Sequence, residues 1–148
     1  MVRLDCHAVA TTVLRFRPDE EGYKGGAFHS RFESALARVS SEAYAVLCER
    51  GPNAVKPYVL VPPVDRNPGR GQPFHRTSYP VGHRFVCSLI LAGPAIRHAP
   101  AYAAAWNEAG HRSTKVLEGA FAVEDIEIVK FELPELDIAP GRARITLA

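Results

Sequence analysis

The sequence predicts a single domain of the α+β class. A chain of 148 residues has the length of one ordinary domain, and 47% hydrophobic with 23% charged residues is typical of a globular fold with a core. The apolar pattern switches along the chain between the two-residue repeat of strands and the three-to-four-residue repeat of helices. The resulting order is strand, helix, strand, strand, helix, strand, which is the split βαβ, or ferredoxin-like, arrangement.

The spacing at which apolar residues recur changes between the first strand and the first helix. Alternation begins at Val2, and the β-rich segment 11–16 predicts that the same strand continues to Phe16. After a pair of glycines, apolar residues recur at helical spacing as far as Val39, and a second short helix is expected over 43–47. Three polar residues share the opposite face of the first helix: Arg31, Ser34 and Arg38.

The second half of the chain supplies the remaining elements. Strands are predicted over 58–61 and 84–91, a helix over 100–110 with Gly110 as its C-terminal cap, and a strand over 121–133. We expect one four-stranded antiparallel sheet with both helices on one face. The expected core comprises Phe28, Phe32, Leu36, Leu89, Leu91 and Trp106.

A long basic loop, residues 62–83, joins the second and third strands. It holds five prolines and three glycines, with Arg66, Arg70 and Arg76 against the single acid Asp65, and two aromatic residues are interspersed among the basic ones. Proteins bind single-stranded RNA with arginines that contact its phosphate backbone and aromatic rings that stack on its bases. The loop is therefore predicted to be an RNA-binding segment. A surface insertion kept soluble by its arginines is the alternative.

Composition limits the other classes of function. The formal net charge is only +2, so any basic surface must be local. Three widely spaced cysteines and six histidines without metal-ligand spacing argue against a disulfide framework, a metal site or another cofactor. The apolar run 89–96 is far shorter than the roughly 20 residues of a membrane span. We therefore expect a cytoplasmic protein with no membrane contact.

Three segments carry a resemblance to a known family: Gly26–Leu36, Tyr58–Pro63 and Tyr79–Ala95. In sequence and in order these segments resemble the amino-terminal half of CRISPR-associated RAMP proteins, particularly the pre-crRNA-processing endoribonucleases. The resemblance covers roughly residues 9–130. The chain departs from that pattern at His29, where many relatives have arginine. It departs again at Phe32, where a second glycine is common, and at His83, where an acid is usual.

The resemblance implies a RAMP/RRM-like fold and RNA as the partner. Family members carry two ferredoxin-like domains, so residues 1–133 are expected to form one RAMP domain. Residues 134–148 would be a linker and the start of a strand leading to a missing or separate second half. Expected partners are therefore CRISPR repeat RNA or crRNA, other Cas proteins or that second half, and self-association through the apolar strand edge at 145–147.

Three functions remain open from the sequence. The chain is expected to be a metal-independent endoribonuclease that processes pre-crRNA, a RAMP subunit that holds crRNA without cutting it, or a ferredoxin-like module for a ligand or protein. In the endoribonucleases that it resembles, a histidine near the first helix assists cleavage. A histidine has an unperturbed pKa of about 6.5 that suits proton transfer at neutral pH.

The candidate catalytic residues are His29, at the phosphate-binding start of the first helix, with Tyr23 and Lys24 just upstream. The alternative is that His29 only packs and that Lys24 is a solvated charge. The segment 110–115 resembles a reduced form of the glycine-rich phosphate loop of the family. The residues expected to bind RNA are Arg31, Arg38, Arg66, Arg70, His75, Arg76, His111, Arg112 and Lys115.

Overall fold

The computed structural model describes residues 1–17, 24–49, 51, 54–65 and 76–132. The strands are β1 (Val2–Ala10), β2 (Leu14–Phe16), β3 (Tyr58–Val61), β4 (Ser78–Tyr79), β5 (Arg84–Leu91), β6 (Leu117–Glu118) and β7 (Phe121–Lys130). The helices are α1 (Gly25–Val39), α2 (Ser41–Cys48) and α3 (Ala99–His111), with a 3₁₀ helix at Gly93–His98 before α3. This mixture of helices and antiparallel strands confirms the α+β class.

Four strands form the main sheet in the order β3-β5-β1-β7, and every neighbouring pair is antiparallel. In the middle of this sheet Cys6 on β1 lies opposite Cys87 on β5 and Ile126 on β7. The pairing continues outward, with Leu60 on β3 opposite Leu89 on β5. Both cysteines at the centre are buried and free.

A second, smaller sheet was not predicted. The strand expected to run unbroken to Phe16 divides, because the backbone N–H groups of Thr11 and Thr12 both donate to the carbonyl of Ala120, at 3.0 and 3.2 Å. The chain turns there, and β2 joins a three-stranded sheet in the order β4-β2-β6, which we call the small sheet. The expectation of one continuous first strand was therefore wrong.

The core lies between the main sheet and helices α1 and α3. Phe28 on α1 packs against Phe85 on β5, with ring centroids 5.9 Å apart, and Phe32 lies 4.8 Å from Trp106 on α3. All six residues expected in the core are at most 1% exposed. On the opposite face of the sheet, Val59 is 58% exposed, so that face is open to solvent in the described structure.

Most other elements agree with the sequence. Strands β3 and β5 have the predicted bounds, and the second short helix is α2, whose start is capped by Ser40, since its hydroxyl accepts from the N–H of Ala43 at 3.1 Å. Strands β4 and β6 and the 3₁₀ helix were missed. The strand predicted to begin within 134–148, with its edge for self-association at 145–147, lies outside the described residues, as do residues 66–75 of the basic loop.

Candidate active site

His29 lies on the second turn of α1 and is held by contacts from β3 and from α1 itself. Its ring stacks on that of Tyr58 on β3, with centroids 5.6 Å apart and planes 8° apart, and its Nε2 is hydrogen-bonded to the Tyr58 hydroxyl. The same Nε2 lies 3.3 Å from Oε1 of Glu33, one helical turn further along α1. About a third of the His29 side chain, 32%, remains exposed.

The hydrogen bonds assign the tautomer of a neutral His29. The Tyr58 hydroxyl donates its single proton to Oε1 of Glu33 at 2.7 Å. The Tyr58 oxygen must then accept from His29, so the proton of the imidazole is on Nε2. In this tautomer Nδ1 carries the lone pair, and it is the atom that can accept a proton from a substrate.

The surroundings favour the neutral form of His29. Burial lowers its pKa below the usual 6.5, nearby Glu33 opposes that shift, and the ammonium of Lys56 adds to it. Burial alone would raise the pKa of Glu33, but hydrogen bonds from Tyr58 and Cys48 and the neighbouring charges hold it below its usual value. At neutral pH the cluster therefore contains an uncharged imidazole beside a carboxylate and an ammonium.

A pocket of about 210 Å³ opens in front of this cluster, and we call it the His29 pocket. Its lining includes Gly25, Gly26 and His29 from the start of α1, with Tyr58 at the start of β3 and Lys56 just before it. The first N–H groups of a helix have no partner within the helix and attract anions. The first turn of α1 contains no acid, so the pocket combines these donors with the ammonium of Lys56, whose Nζ lies 3.7 Å from Oε1 of Glu33.

The structure does not bring Lys24 into this pocket. Its side chain is 5% exposed and forms an ion pair with Asp65, and its Nζ donates to the Tyr79 hydroxyl at 2.9 Å. Tyr79 in turn donates to Asp65 at 2.9 Å. Both expectations for Lys24, as a solvated charge and as a catalytic group beside His29, are contradicted because the ammonium is committed to this buried trio. Tyr23 lies outside the described residues.

Arg31 was expected on the solvated face of α1, and this was wrong. The side chain is buried at 1% exposure, and its guanidinium donates to the carbonyls of Ala109, Gly110 and Leu117 at 2.5, 3.1 and 3.0 Å. Burial lowers its pKa to about 10, so it stays charged at neutral pH. Arg31 therefore holds the C-terminal end of α3 and cannot reach RNA.

The other residues expected to bind RNA are spread over the molecule. Arg38 and His111 are exposed. Arg112 is exposed too, but it forms an ion pair with Glu108 one turn earlier on α3. Lys115 is exposed and lines a pocket beside the small sheet.

Only one arginine of the basic loop is described. Arg76 is half-buried and lines a cavity of about 500 Å³ together with Asp65, His83 and Ser88. Burial and the nearby Arg76 lower the pKa of His83. The other three loop residues expected to bind RNA lie outside the described residues: Arg66, Arg70 and His75.

Sequence reasoning missed the neighbours that give His29 its chemistry. Glu33 was within reach of such reasoning, because residues four apart share a helix face. Lys56 and Tyr58 carry no local signal, since only the packing of β3 against α1 brings them to His29. In the sequence analysis Tyr58 was only the first residue of a strand and of the RAMP-like segment Tyr58–Pro63.

Residues 1–136 match the family model AF_1859_N, which is described as an N-terminal domain. The chain belongs to this family. The description of AF_1859_N gives a position in a protein and no chemistry. No curated protein matches the chain. The activity of this AF_1859_N domain therefore has to be argued from its side chains.

Two structural findings bear on the AF_1859_N domain as a whole. Within the described ranges, no helix has the length and hydropathy needed to cross a membrane. The same residues contain no cluster of three or more His, Cys, Asp or Glu side chains placed to hold a metal ion.

Proposed function

We propose that the chain is an RNA-binding domain of the RAMP type that cleaves RNA, with His29 as the general base. The observation that carries the proposal is the His29 pocket, where a neutral imidazole stands beside an ammonium and the N-terminus of a helix. A base that takes a proton and a positive environment that accepts a developing phosphate charge are the two requirements of phosphodiester cleavage by a neighbouring hydroxyl.

The topology supports a ferredoxin-like fold for this domain. Taking only the four strands of the main sheet, their spatial order is second, third, first, fourth, with α1 after the first strand and α3 after the third. This is the order of a split βαβ unit. A fold does not determine a function, so the topology agrees with the RAMP resemblance without replacing the argument from His29.

The reaction that the pocket supports is transesterification within RNA. The 2′-hydroxyl loses its proton to Nδ1 of His29, its oxygen forms a bond to the adjacent phosphorus, and the bond from phosphorus to the 5′-oxygen breaks. The leaving oxygen takes a proton from solvent, which gives a cyclic phosphate and a 5′-hydroxyl. Lys56 and the first N–H groups of α1 stabilise the charge that develops on the phosphoryl oxygens.

The substrate class follows from this chemistry and from the resemblance. Attack by a 2′-hydroxyl requires RNA, because DNA lacks that group. The three RAMP-like segments favour CRISPR repeat RNA, with other Cas proteins or a second RAMP half as partners. Cytoplasmic location is part of the same proposal.

A non-catalytic RAMP subunit is the second candidate, and one observation favours it. Glu33 engages Tyr58, Cys48 and His29 together, and such a network also serves to fix β3 against α1. In that case His29 would be a packing residue, and the domain would hold crRNA without cutting it.

Incubation of the purified protein with end-labelled repeat RNA in excess EDTA tests the proposal. Cleavage that leaves a cyclic phosphate and a 5′-hydroxyl supports the enzyme. Binding without cleavage supports the scaffold, and the absence of both would contradict a role with RNA. Repeat RNA with a 2′-deoxy residue at the cut position is the matched control, since it keeps the phosphates and removes the nucleophile.

A further inference from the structure

The outer face of the small sheet carries three exposed cations. On β2, Leu14 and Phe16 are buried and Arg15 is exposed, and Arg17, which follows the strand, is exposed as well. The N–H of Arg17 donates to the carbonyl of Val116 at 3.1 Å, which places Arg17 next to Lys115. We call Arg15, Arg17 and Lys115 the small-sheet cations.

The small-sheet cations line one shallow pocket of about 340 Å³ with two hydroxyl residues. Thr77 and Ser78 are exposed there, and Ser78 lies opposite Arg15 in the strand register. The single acid of the lining is Glu118, opposite Arg15 on the other side. Three cations against one carboxylate give the pocket a net charge of +2.

These cations differ from most other surface arginines of the described residues, which form an ion pair with an acid. Within the described part of the chain, none of them forms an ion pair, whereas Arg84, Arg97 and Arg112 are each paired with a glutamate. Surface cations that are not neutralised by a neighbour remain available to an external anion. Arginine, lysine and exposed hydroxyls are the side chains that contact phosphates most often in nucleic-acid complexes.

We propose that the small-sheet cations bind the phosphate backbone of the RNA, outside the His29 pocket. This inference rests on the proposed function and deepens it. In an extended protein chain, side chains two residues apart lie on the same face, about 7 Å apart. Arg15 and Arg17 therefore engage different phosphates of one RNA strand. Contacts of this kind position an RNA without reading its sequence and act on affinity, not on the chemical step.

The test measures RNA affinity as a function of salt for Arg15→Ala, Arg17→Ala, Lys115→Ala and the triple variant. Each lost phosphate contact reduces the slope of log K against log salt by about 0.7 for a single strand, so the triple variant should lose about 2. Its affinity should fall by an order of magnitude or more, while the cleavage rate at saturating RNA stays unchanged. All three side chains are exposed, and a thermal melt of each variant establishes that it is folded.

Two controls separate charge from other effects. The charge-preserving triple variant, Arg15→Lys with Arg17→Lys and Lys115→Arg, should keep the wild-type slope. Arg97→Ala removes an exposed arginine on the 3₁₀ helix and should also leave the slope unchanged. If the wild type binds RNA and the triple alanine variant binds it with the same slope, the inference is wrong and the proposed function stands. If the wild type does not bind RNA, both are wrong.

Discussion

At the scale of the residue, His29 shows how packing produces a reactive group from an ordinary one. A solvated imidazole is half protonated near pH 6.5, whereas His29 is partly desolvated and lies within reach of the Lys56 ammonium. The Tyr58 hydroxyl fixes the tautomer because its one O–H donates to Glu33, so its oxygen can only accept from His29. The ring is thus both uncharged and oriented before any substrate arrives, which is the condition for an efficient general base.

Two substitutions should move the pH dependence of cleavage in opposite directions. A general base acts only when it is deprotonated, so the rate should rise with pH through the pKa of His29, below 6.5. Glu33→Gln removes a charge that raises this pKa. It should therefore shift the acid limb, the rising part of the plot of rate against pH, to lower pH. Lys56→Gln removes a charge that lowers it and should shift the limb to higher pH.

Single-turnover rates between pH 5 and 8 would measure both shifts. Lys130→Gln is the matched control, because it removes an exposed lysine from the end of β7 and should leave the limb where it is. Shifts of Glu33→Gln and Lys56→Gln in the same direction would contradict the assignment of the limb to His29. A purely structural role for Glu33 would lower the rate at every pH without moving the limb.

At the scale of the element, the end of α3 depends on a side chain that α1 supplies. The last carbonyls of a helix have no partner within the helix, and they carry the negative end of its dipole. Arg31 satisfies two of these carbonyls and the carbonyl of Leu117 on β6 with one guanidinium. Gly110 lets this region close, since a Cβ there would lie 2.3 Å from the carbonyl oxygen of Phe121.

Arg31→Met should destabilise the domain by at least about 3 kcal/mol, because three buried carbonyls lose a charged donor. Arg31→Lys should recover only part of this loss, since an ammonium cannot reproduce the planar fork of a guanidinium. Arg38→Met, on the exposed face of the same helix, should change the free energy of unfolding by less than about 0.5 kcal/mol. Urea denaturation measures all three, and equal effects at Arg31 and Arg38 would contradict the structural role.

At the scale of the whole molecule, the sequence predicted those features that depend on local pattern. The alternation in Arg84–Leu91 gave the bounds of a central strand, and the spacing of Phe28 and Phe32 gave the buried face of α1. Features that depend on tertiary contact were missed. The same helical spacing that identified α1 placed Arg31 and Arg38 on one face. Nothing in the local sequence shows that Arg31 donates to three backbone carbonyls of other elements.

The residues of the candidate site divide in the same way, into those that local sequence indicates and those that only tertiary contact brings together. His29 could be selected from the sequence because its position at the start of a helix is local information. Its neighbours could not all be selected: Tyr58 reaches His29 only through the packing of β3 on α1, and Lys56, just before β3, lies 3.7 Å from Glu33. Lys24 is adjacent in sequence to the glycines of the pocket, yet its ion pair with Asp65 directs it into the interior.

The stability of the whole domain should fall as the pH is lowered from about 7 to 5. The pKa values of both His29 and His83 in the folded state lie below the unfolded value of 6.5. Between the folded and unfolded pKa values the unfolded chain binds more protons, so stability is fully present above about pH 6.5 and is lost as the pH falls through the folded values. Urea unfolding at several pH values should show this slope.

Replacement of both histidines by asparagine should flatten that slope in this interval. Glu33 does not account for it, because the pKa of its carboxyl lies below 4.5. His7→Asn, which replaces a half-buried histidine on β1 away from both sites, is the control, and its slope is compared with that of the double variant. A double variant with the wild-type slope would contradict the account of these two groups.

The most direct test of the central claim is the rate of RNA cleavage by His29→Ala in EDTA, at saturating RNA and neutral pH. Loss of a general base should slow the single-turnover rate by about 10²–10⁴-fold, while RNA affinity stays close to that of the wild type. His7→Ala should cleave at the wild-type rate. A His29→Ala variant that cleaves as fast as the wild type, or a wild type that binds repeat RNA and does not cleave it, would contradict the claim that His29 is the catalytic base.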